Sequence, residues 1–267
     1  MTRQPVLLCG DPHGTFDHIV QTAQHYTTAA VILLGDLEPN APLEKELAPI
    51  VDRVWWIPGN HDADSASLIE RTWLSGLRER NLHGHVVELP DGRVIAGLGG
   101  VFRKSVWMPN NNPPDPSTGI IFPTREEHLK VTPKHHRHLG GPPVKHWGSI
   151  YPQDFWRLFG RTAEMLVTHE ACGYHPYGFK VVDALARAMD VSIVAHGHQH
   201  DARWRHEDQS EVWRSQGFKS IGVGLRGITM VGQDDAISVI VPGEYDRQVS
   251  PICLPGQKCG DAFGDHR

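Results

Sequence analysis

Asp11 and His13 stand two residues apart just past an apolar run, Asp36 follows a second such run, and Asn60-His61-Asp62 follows a third. Farther along, His169 and then His196-Gly197-His198 again close apolar segments. Carboxylate, amide and imidazole groups are ligands for divalent cations, and an Asp and a His two apart on extended chain can face the same side and share one. Gly197 allows the tight turn that would bring the His196 and His198 imidazoles to one centre. Each cluster alone also has an ordinary structural explanation, since Asp before Pro, as in Asp11-Pro12, is a common turn former. Taken together, they exceed what a single tetrahedral ion uses. Oxygen and nitrogen donors without a thiolate suit Mn, Fe or Zn. Asp36 is the natural carboxylate to bridge two ions, and a two-metal site clamps the attacking and leaving oxygens of an in-line displacement.

The elements that must position these groups are legible as alternating strands and helices. Val6-Leu7-Leu8-Cys9, Ala30 to Leu34 and Val54 to Ile57 are short continuous apolar runs, as expected for parallel strands covered on both faces. Helical patterns over Phe16 to Tyr26 and Leu43 to Val51 separate them, which argues for a layered α/β fold. A further helix is expected from Ser65 to about Arg80. Pro90-Asp91-Gly92-Arg93 predicts a hairpin between Val86–Leu89 and Val94–Leu98. Met165 to Thr168 and Val191 to Ala195 predict two more parallel strands, flanked by helices at Pro152–Phe159 and Phe179–Met189. In open α/β sheets ligands bind beyond the carboxyl ends of the strands, which is where all the polar clusters fall. On this reading the five motif-bearing strands share one sheet, and the β segments between Lys219 and Val241 complete a second.

One domain spanning 1–241 is expected, with an insertion at about 102–147 and a polar tail at 242–267. The insertion carries many prolines, Asn110-Asn111-Asn112, and His128, His135, His136, His138 and His146. It is expected to have little regular structure, to keep its histidines solvated and to form a lid over the site. Arg103 and Lys104 at its start are candidates to meet a substrate phosphate.

Composition narrows the functional classes. The 267 residues, 39% hydrophobic and 21% charged, describe a globular chain, and the 18 histidines favour metal binding or proton transfer. A net charge of -5 gives no general attraction to nucleic acid or anionic membrane. No apolar run approaches the roughly 20 residues that span a bilayer. Strand-like sequence from Pro5 onward leaves no room for a signal peptide, so a cytoplasmic location without membrane partners is expected. Cys9, Cys172, Cys253 and Cys259 form no CxxC pair, which argues against a structural zinc site, although Cys253 and Cys259 could approach each other.

The ordered motifs Asp11-Pro12-His13, Gly35-Asp36, Gly59-Asn60-His61-Asp62, Thr168-His169 and His196-Gly197-His198 resemble those of the calcineurin-like metallophosphoesterases. The resemblance implies a four-layer α/β/β/α sandwich with two mixed sheets and two divalent ions. It implies one ion held by Asp11, His13, Asp36 and His198, and a second held by Asp36, Asn60, His169 and His196. A hydroxide bridging the ions would attack phosphorus in line, with His61 as general acid and Asp62 or Asp64 orienting its imidazole. His200 and Asp201 are expected to lie outside the ligand set or in solvent. The chain departs from the family in reading Leu37-Glu38-Pro39-Asn40 after Asp36, and in having no arginine close behind Asp62. Such arginines grip the extra charge of a phosphomonoester, so the expectation leans to phosphodiester or nucleotide substrates. A phosphomonoesterase, a protein phosphatase, a nuclease acting on nucleic acid and a catalytically silent metal-binding module are the alternatives. Oligomeric state is not legible.

Overall fold

The computed structural model describes residues 3–202 and 209–248; the Cys253–Cys259 pair and residues 249–267 of the tail lie outside them. The chain opens with β1 (Val6–Cys9), α1 (Asp17–His25), β2 (Ala30–Leu33), α2 (Leu43–Glu46) and β3 (Val54–Trp56). Next come α3 (Ala66–Arg71), β4 (His85–Glu88), β5 (Val94–Leu98), β6 (Asn110–Asn111) and β7 (Pro114–Asp115). They are followed by α4 (Arg125–Val131), α5 (Pro152–Leu158), β8 (Met165–Thr168), α6 (Lys180–Ala188) and β9 (Ile193–His196). The last elements are α7 (Gln209–Gln216), β10 (Lys219–Gly222), β11 (Ile228–Val231), β12 (Ile237–Val241) and α8 (Glu244–Gln248).

Two five-stranded mixed sheets stack face to face. One has the order β12-β11-β1-β2-β3 and the other β10-β9-β8-β5-β4. The central pairs β1/β2, β2/β3, β5/β8 and β8/β9 are parallel, so their carboxyl ends share one rim. Alternation along each strand explains why the runs are wholly apolar. Val6 and Leu8 enter the layer between the sheets with Ile95, Val167 and Ala195. Leu7 and Cys9 face the other way, into a core with Ile19, Ala23 and Leu43 of the helices. On the outer face of the second sheet, Leu166 and Val194 pack with Phe155, Val181 and Leu185. These three cores make four layers, helix, sheet, sheet, helix, as the sequence implied.

Four expectations are corrected. The motif-bearing strands are divided between the sheets, β1, β2 and β3 in one and β8 and β9 in the other. Of the late strands only β10 joins the second sheet. β11 and β12 extend the first, with β11 antiparallel to β1. The helix expected to run to Arg80 stops at Arg71, after the Ser65 cap accepts from Leu68 N–H (3.3 Å) and Thr72 Oγ1 bonds back to the Leu68 carbonyl (2.7 Å). The insertion is partly regular, because it carries its own apolar anchors. Phe102, Val106 and Trp107 are buried in the outer core, and His128 is buried, stacked on Phe122 and bonded to the Tyr151 hydroxyl (2.8 Å). His135 and His136 are exposed as expected. Part of the expected tail is ordered too: α8 follows Pro242, and Asp246 Oδ1 accepts from Ala202 N–H (3.2 Å).

The insertion is fastened by a buried ion cluster. Asp154 of α5 meets Arg125 of α4 at 2.6 Å and His83 at 3.1 Å, and accepts from Tyr151 N–H (3.0 Å). Burial alone would raise the Asp154 pKa, but His83 and Arg125 overcome it and hold the carboxyl well below the usual range. With its folded pKa depressed, Asp154 contributes its full stability above the ordinary carboxylate pKa and loses it progressively as pH falls below about 4. Asp154→Ala, measured by urea unfolding at pH 7, should cost about 3–5 kcal/mol because it leaves Arg125 and His83 without their buried partner. The difference from wild type should shrink as the unfolding is repeated at pH values below about 4.

Candidate metal centre

The polar side chains gather at the shared rim, and the backbone there is strained. Asp11, His13, Asp36, His198 and His200 all have positive φ, between 39° and 67°. Non-glycine residues held in this region each cost about 1 kcal/mol or more and cluster at functional sites. Two glycines make room for the carboxylates. A β-carbon on Gly197 would lie 2.6 Å from Asp11 Oδ1, and one on Gly59 would collide with Asp36 Oδ1. Gly197 thus admits Asp11; it does not serve to converge His196 with His198.

Two groups of donor atoms lie within 4.8 Å of one another, His13, Asp36 and His200 in one, Asp36, His169 and His198 in the other. Asp36 belongs to both. Its Oδ2 is 4.0 Å from His13 Nε2 and 3.5 Å from His169 Nε2, while its Oδ1 accepts from His61 N–H (2.8 Å). Asn60 Oδ1 lies 3.2 Å from His169 Nε2, which adds it to the second group. Asp11 Oδ1 accepts from His198 N–H (3.0 Å), and its Oδ2, 4.0 Å from His200 Nε2, is buried without a hydrogen-bond partner.

The hydrogen bonds behind these donors decide which nitrogens are free. A carbonyl only accepts, so His169 Nδ1 carries a proton and donates to the Leu34 carbonyl (2.8 Å), turning the Nε2 lone pair to the site. His13 Nδ1 is likewise engaged by Glu38 Oε2, leaving Nε2 to face His200 Nε2 at 3.3 Å. Lone pairs of Asp36, Asn60, His169, His13 and His200 therefore converge, and a proton or a metal cation must sit among them. Burial pushes the Asp11 carboxyl up to about 7 despite His169. Burial also lowers His198 to about 3, and lowers His200, with His13 beside it adding to the effect. Neutral imidazoles and an uncompensated buried carboxylate are the state in which such groups take up a cation. Burial opposes charge on His169, yet the Asp36 carboxylate beside it overcomes that and raises the imidazole pKa. The donor set fits two divalent ions.

Four sequence assignments meet a different geometry here. His196 closes β9 and enters neither group. Its Nδ1 donates to the Gly197 carbonyl (2.9 Å) and its Nε2 accepts from the Tyr174 hydroxyl (3.1 Å), so both nitrogens are used. His200, expected outside the set, has a donor nitrogen grouped with those of His13 and Asp36, and His198 groups with Asp36 and His169. The signal that could have found it is Gly197-His198-Gln199-His200, a second pair of histidines two apart. Asp62 does not orient His61. Its fully buried carboxylate accepts from Leu37 and Glu38 N–H (2.8 and 3.1 Å) and from Gly59 N–H (2.7 Å), tying two site loops together. Asp64 Oδ2 meets His61 Nδ1 instead, at 2.6 Å. Asp11, His13, Asp36, Asn60, His169 and His198 all stand at the rim.

A profile of the calcineurin-like phosphoesterases matches residues 4–202, and the chain belongs to that family: it is a metal-dependent phosphoric ester hydrolase. It is 40% identical over 197 residues to an uncharacterized protein of Haemophilus influenzae, covering 73% of this chain and 83% of that one. Its fold is similar to that of TT1561 of Thermus thermophilus, with a TM-score of 0.55 and 16% identity over 90% of this chain and 99% of that one. A looser likeness, TM-score 0.37 and 12% identity over 88% of this chain and 48% of the other, is to the Haemophilus influenzae NAD nucleotidase NadN, and is too loose to bear on substrate.

The donor geometry separates three neighbouring histidines by a metal count. His198→Ala and His200→Ala should each lose about one bound ion per chain after dialysis, read by elemental analysis against wild type. His196→Gln should keep the wild-type count. A loss of metal in His196→Gln with retention in His200→Ala would restore the ligand set first expected.

Proposed function

We propose that this protein hydrolyses a small phosphate ester with two divalent ions, one held by Asp11, His13, Asp36 and His200, the other by Asp36, Asn60, His169 and His198. The observation that carries the reading is the position of Asp36 Oδ2 between the two donor groups. Divalent ions bound there supply Lewis-acid stabilisation of the phosphoryl charge and lower the pKa of water toward neutrality. The oxygen and nitrogen donors suit Mn, Fe or Zn, with manganese the first choice for reconstitution.

His61 is the proton donor to the leaving oxygen. It adjoins the ligand Asn60 but is itself half-exposed at the rim, where a substrate can reach it. Burial works against its charge, but Asp64 and then Asp36 overcome that and raise its pKa above the ordinary imidazole value. The hydrogen bond from Nδ1 to Asp64 fixes the ring and leaves Nε2–H to donate, the arrangement general acid catalysis requires. Glu38 does the same service for His13 by holding its Nδ1.

For substrate, the reading is a phosphodiester or a nucleotide. No arginine follows Gly35-Asp36 or Gly59-Asn60-His61-Asp62 to meet the second charge of a monoester. Arg226, whose Nε donates to the Pro12 carbonyl (3.2 Å), is engaged by Glu244 at 2.8 Å. Hydrolysis of an aryl phosphodiester and the matching monoester by chelator-stripped, Mn²⁺-reloaded protein tests this. Diester turnover should exceed monoester turnover and vanish in Asp36→Asn. His61→Ala should slow esters of poor leaving groups about 100- to 10,000-fold, and activated aryl esters far less. A monoester preference would move the assignment to a phosphatase, and full activity in Asp36→Asn would overturn the two-ion reading.

A further inference from the structure

A sixth strand end reaches the rim. β5 runs parallel to β8 with Leu98 opposite Thr168, so the chain leaving β5 emerges beside His169. From there it crosses the site. Val101 N–H donates to the Gly148 carbonyl (3.0 Å), and Gly148 is packed so closely on the Gly59 carbonyl that a β-carbon there would lie 2.7 Å from it. Phe102 N–H donates to Glu170 Oε1 (3.0 Å), and the other oxygen of that carboxylate is 3.9 Å from His198 Nε2. The next residue is Arg103. A tight turn, in which Trp107 N–H donates to the Arg103 carbonyl (2.8 Å) and Arg103 N–H to the Trp107 carbonyl (3.0 Å), fixes its backbone. Buried Trp107 anchors that turn in the core beneath.

The Arg103 side chain is half-buried, and its Nε is buried without a hydrogen-bond partner. Burial lowers the guanidinium pKa, and the charges of Asp64, Glu170 and Asp36 work against that. Arginines elsewhere in the insertion are engaged. Arg125 meets Asp154, and Arg137 donates to the Leu129 and Thr132 carbonyls. A guanidinium whose Nε–H has no acceptor, on a loop whose backbone is fixed beside the rim, is suited to a tetrahedral oxyanion. Lys104, the neighbour, is exposed.

We propose that Arg103, on the loop after β5, grips one non-bridging oxygen of the substrate phosphate, a single guanidinium facing the single charge of a diester. The inference rests on the phosphoesterase reading and names its phosphate-binding residue. The ligand class is a phosphate ester or its product, with inorganic phosphate as the smallest probe. Arginine is suited to this because its planar fork offers two parallel N–H donors, where lysine offers a point charge.

The test is calorimetric titration of inorganic phosphate into Mn²⁺-loaded wild type, Arg103→Ala and Arg103→Lys, beside metal content, Tm, kcat and KM for an aryl ester. Arg103→Ala should weaken phosphate binding about 10- to 100-fold and raise KM in step, at unchanged metal content and Tm. Arg103→Lys should recover part of the loss. Phosphate affinity equal to wild type in Arg103→Ala, or no phosphate binding by wild type, would overturn the proposal. So would loss of metal or a lowered Tm in Arg103→Ala, which would make the residue a structural support of the loop. A wild type that turns over no ester but binds phosphate through Arg103 would sink the hydrolytic reading and leave the phosphate subsite standing.

Discussion

The structure depends on two carboxylates, Asp11 and Asp36, kept out of water where the two sheets meet at their carboxyl ends. An ionised carboxylate withdrawn from water is expensive unless a cation and hydrogen bonds replace its hydration. One oxygen of each is met by a backbone N–H from a neighbouring loop, and the other faces imidazole nitrogens. The left-handed backbone at five site residues is the conformational cost of aiming these groups inward. Such strain persists only where surrounding packing leaves the chain no alternative, and the close-packed glycines beside each carboxylate supply that packing.

The same contacts join the two sheets. His169, at the end of β8 in one sheet, donates to the carbonyl of Leu34 past β2 in the other. His198, past β9, offers its N–H to Asp11, past β1. Asp62 adds a third tie within the first sheet by gathering the amides that follow Asp36 and precede Asn60. Stability and metal binding therefore share their parts. Asp62, which touches no donor of either group, is as deeply buried as the carboxylates it supports.

The insertion contributes at two levels. Its buried residues, Phe102, Trp107 and His128, complete the outer core of the second sheet, and the Asp154 cluster pins α4 to α5. Its Val144–Gly148 turn packs on the His61–Ala63 turn, so the His61 loop and the end of the insertion are braced together. The part of the insertion that reaches the rim is thus held by apolar anchors in the outer core.

How much could be read from the chain follows from the range of the forces involved. The parallel strands were legible because burial on both faces demands continuous apolar runs, and the Asp11, His13, Asp36, Asn60 and His169 positions because each directly follows such a run. The order of the motifs likewise carried the four-layer class. Which of His196, His198 and His200 keep a nitrogen among the rim donors was not legible. All three lie two apart, so an extended chain would put them on one face and spacing cannot rank them. That choice is made by where β9 stops pairing with β8 and β10, and by the Tyr174 hydroxyl that occupies His196. The choice between Asp62 and Asp64 as partner of His61 turned on the same kind of fact, three backbone amides from separate loops converging on Asp62. The sheet joined by β11 and the burial of the Arg103 Nε are also long-range outcomes. Local pattern determined what each segment could be; only the packing of distant segments decided which of its polar atoms were left free for chemistry.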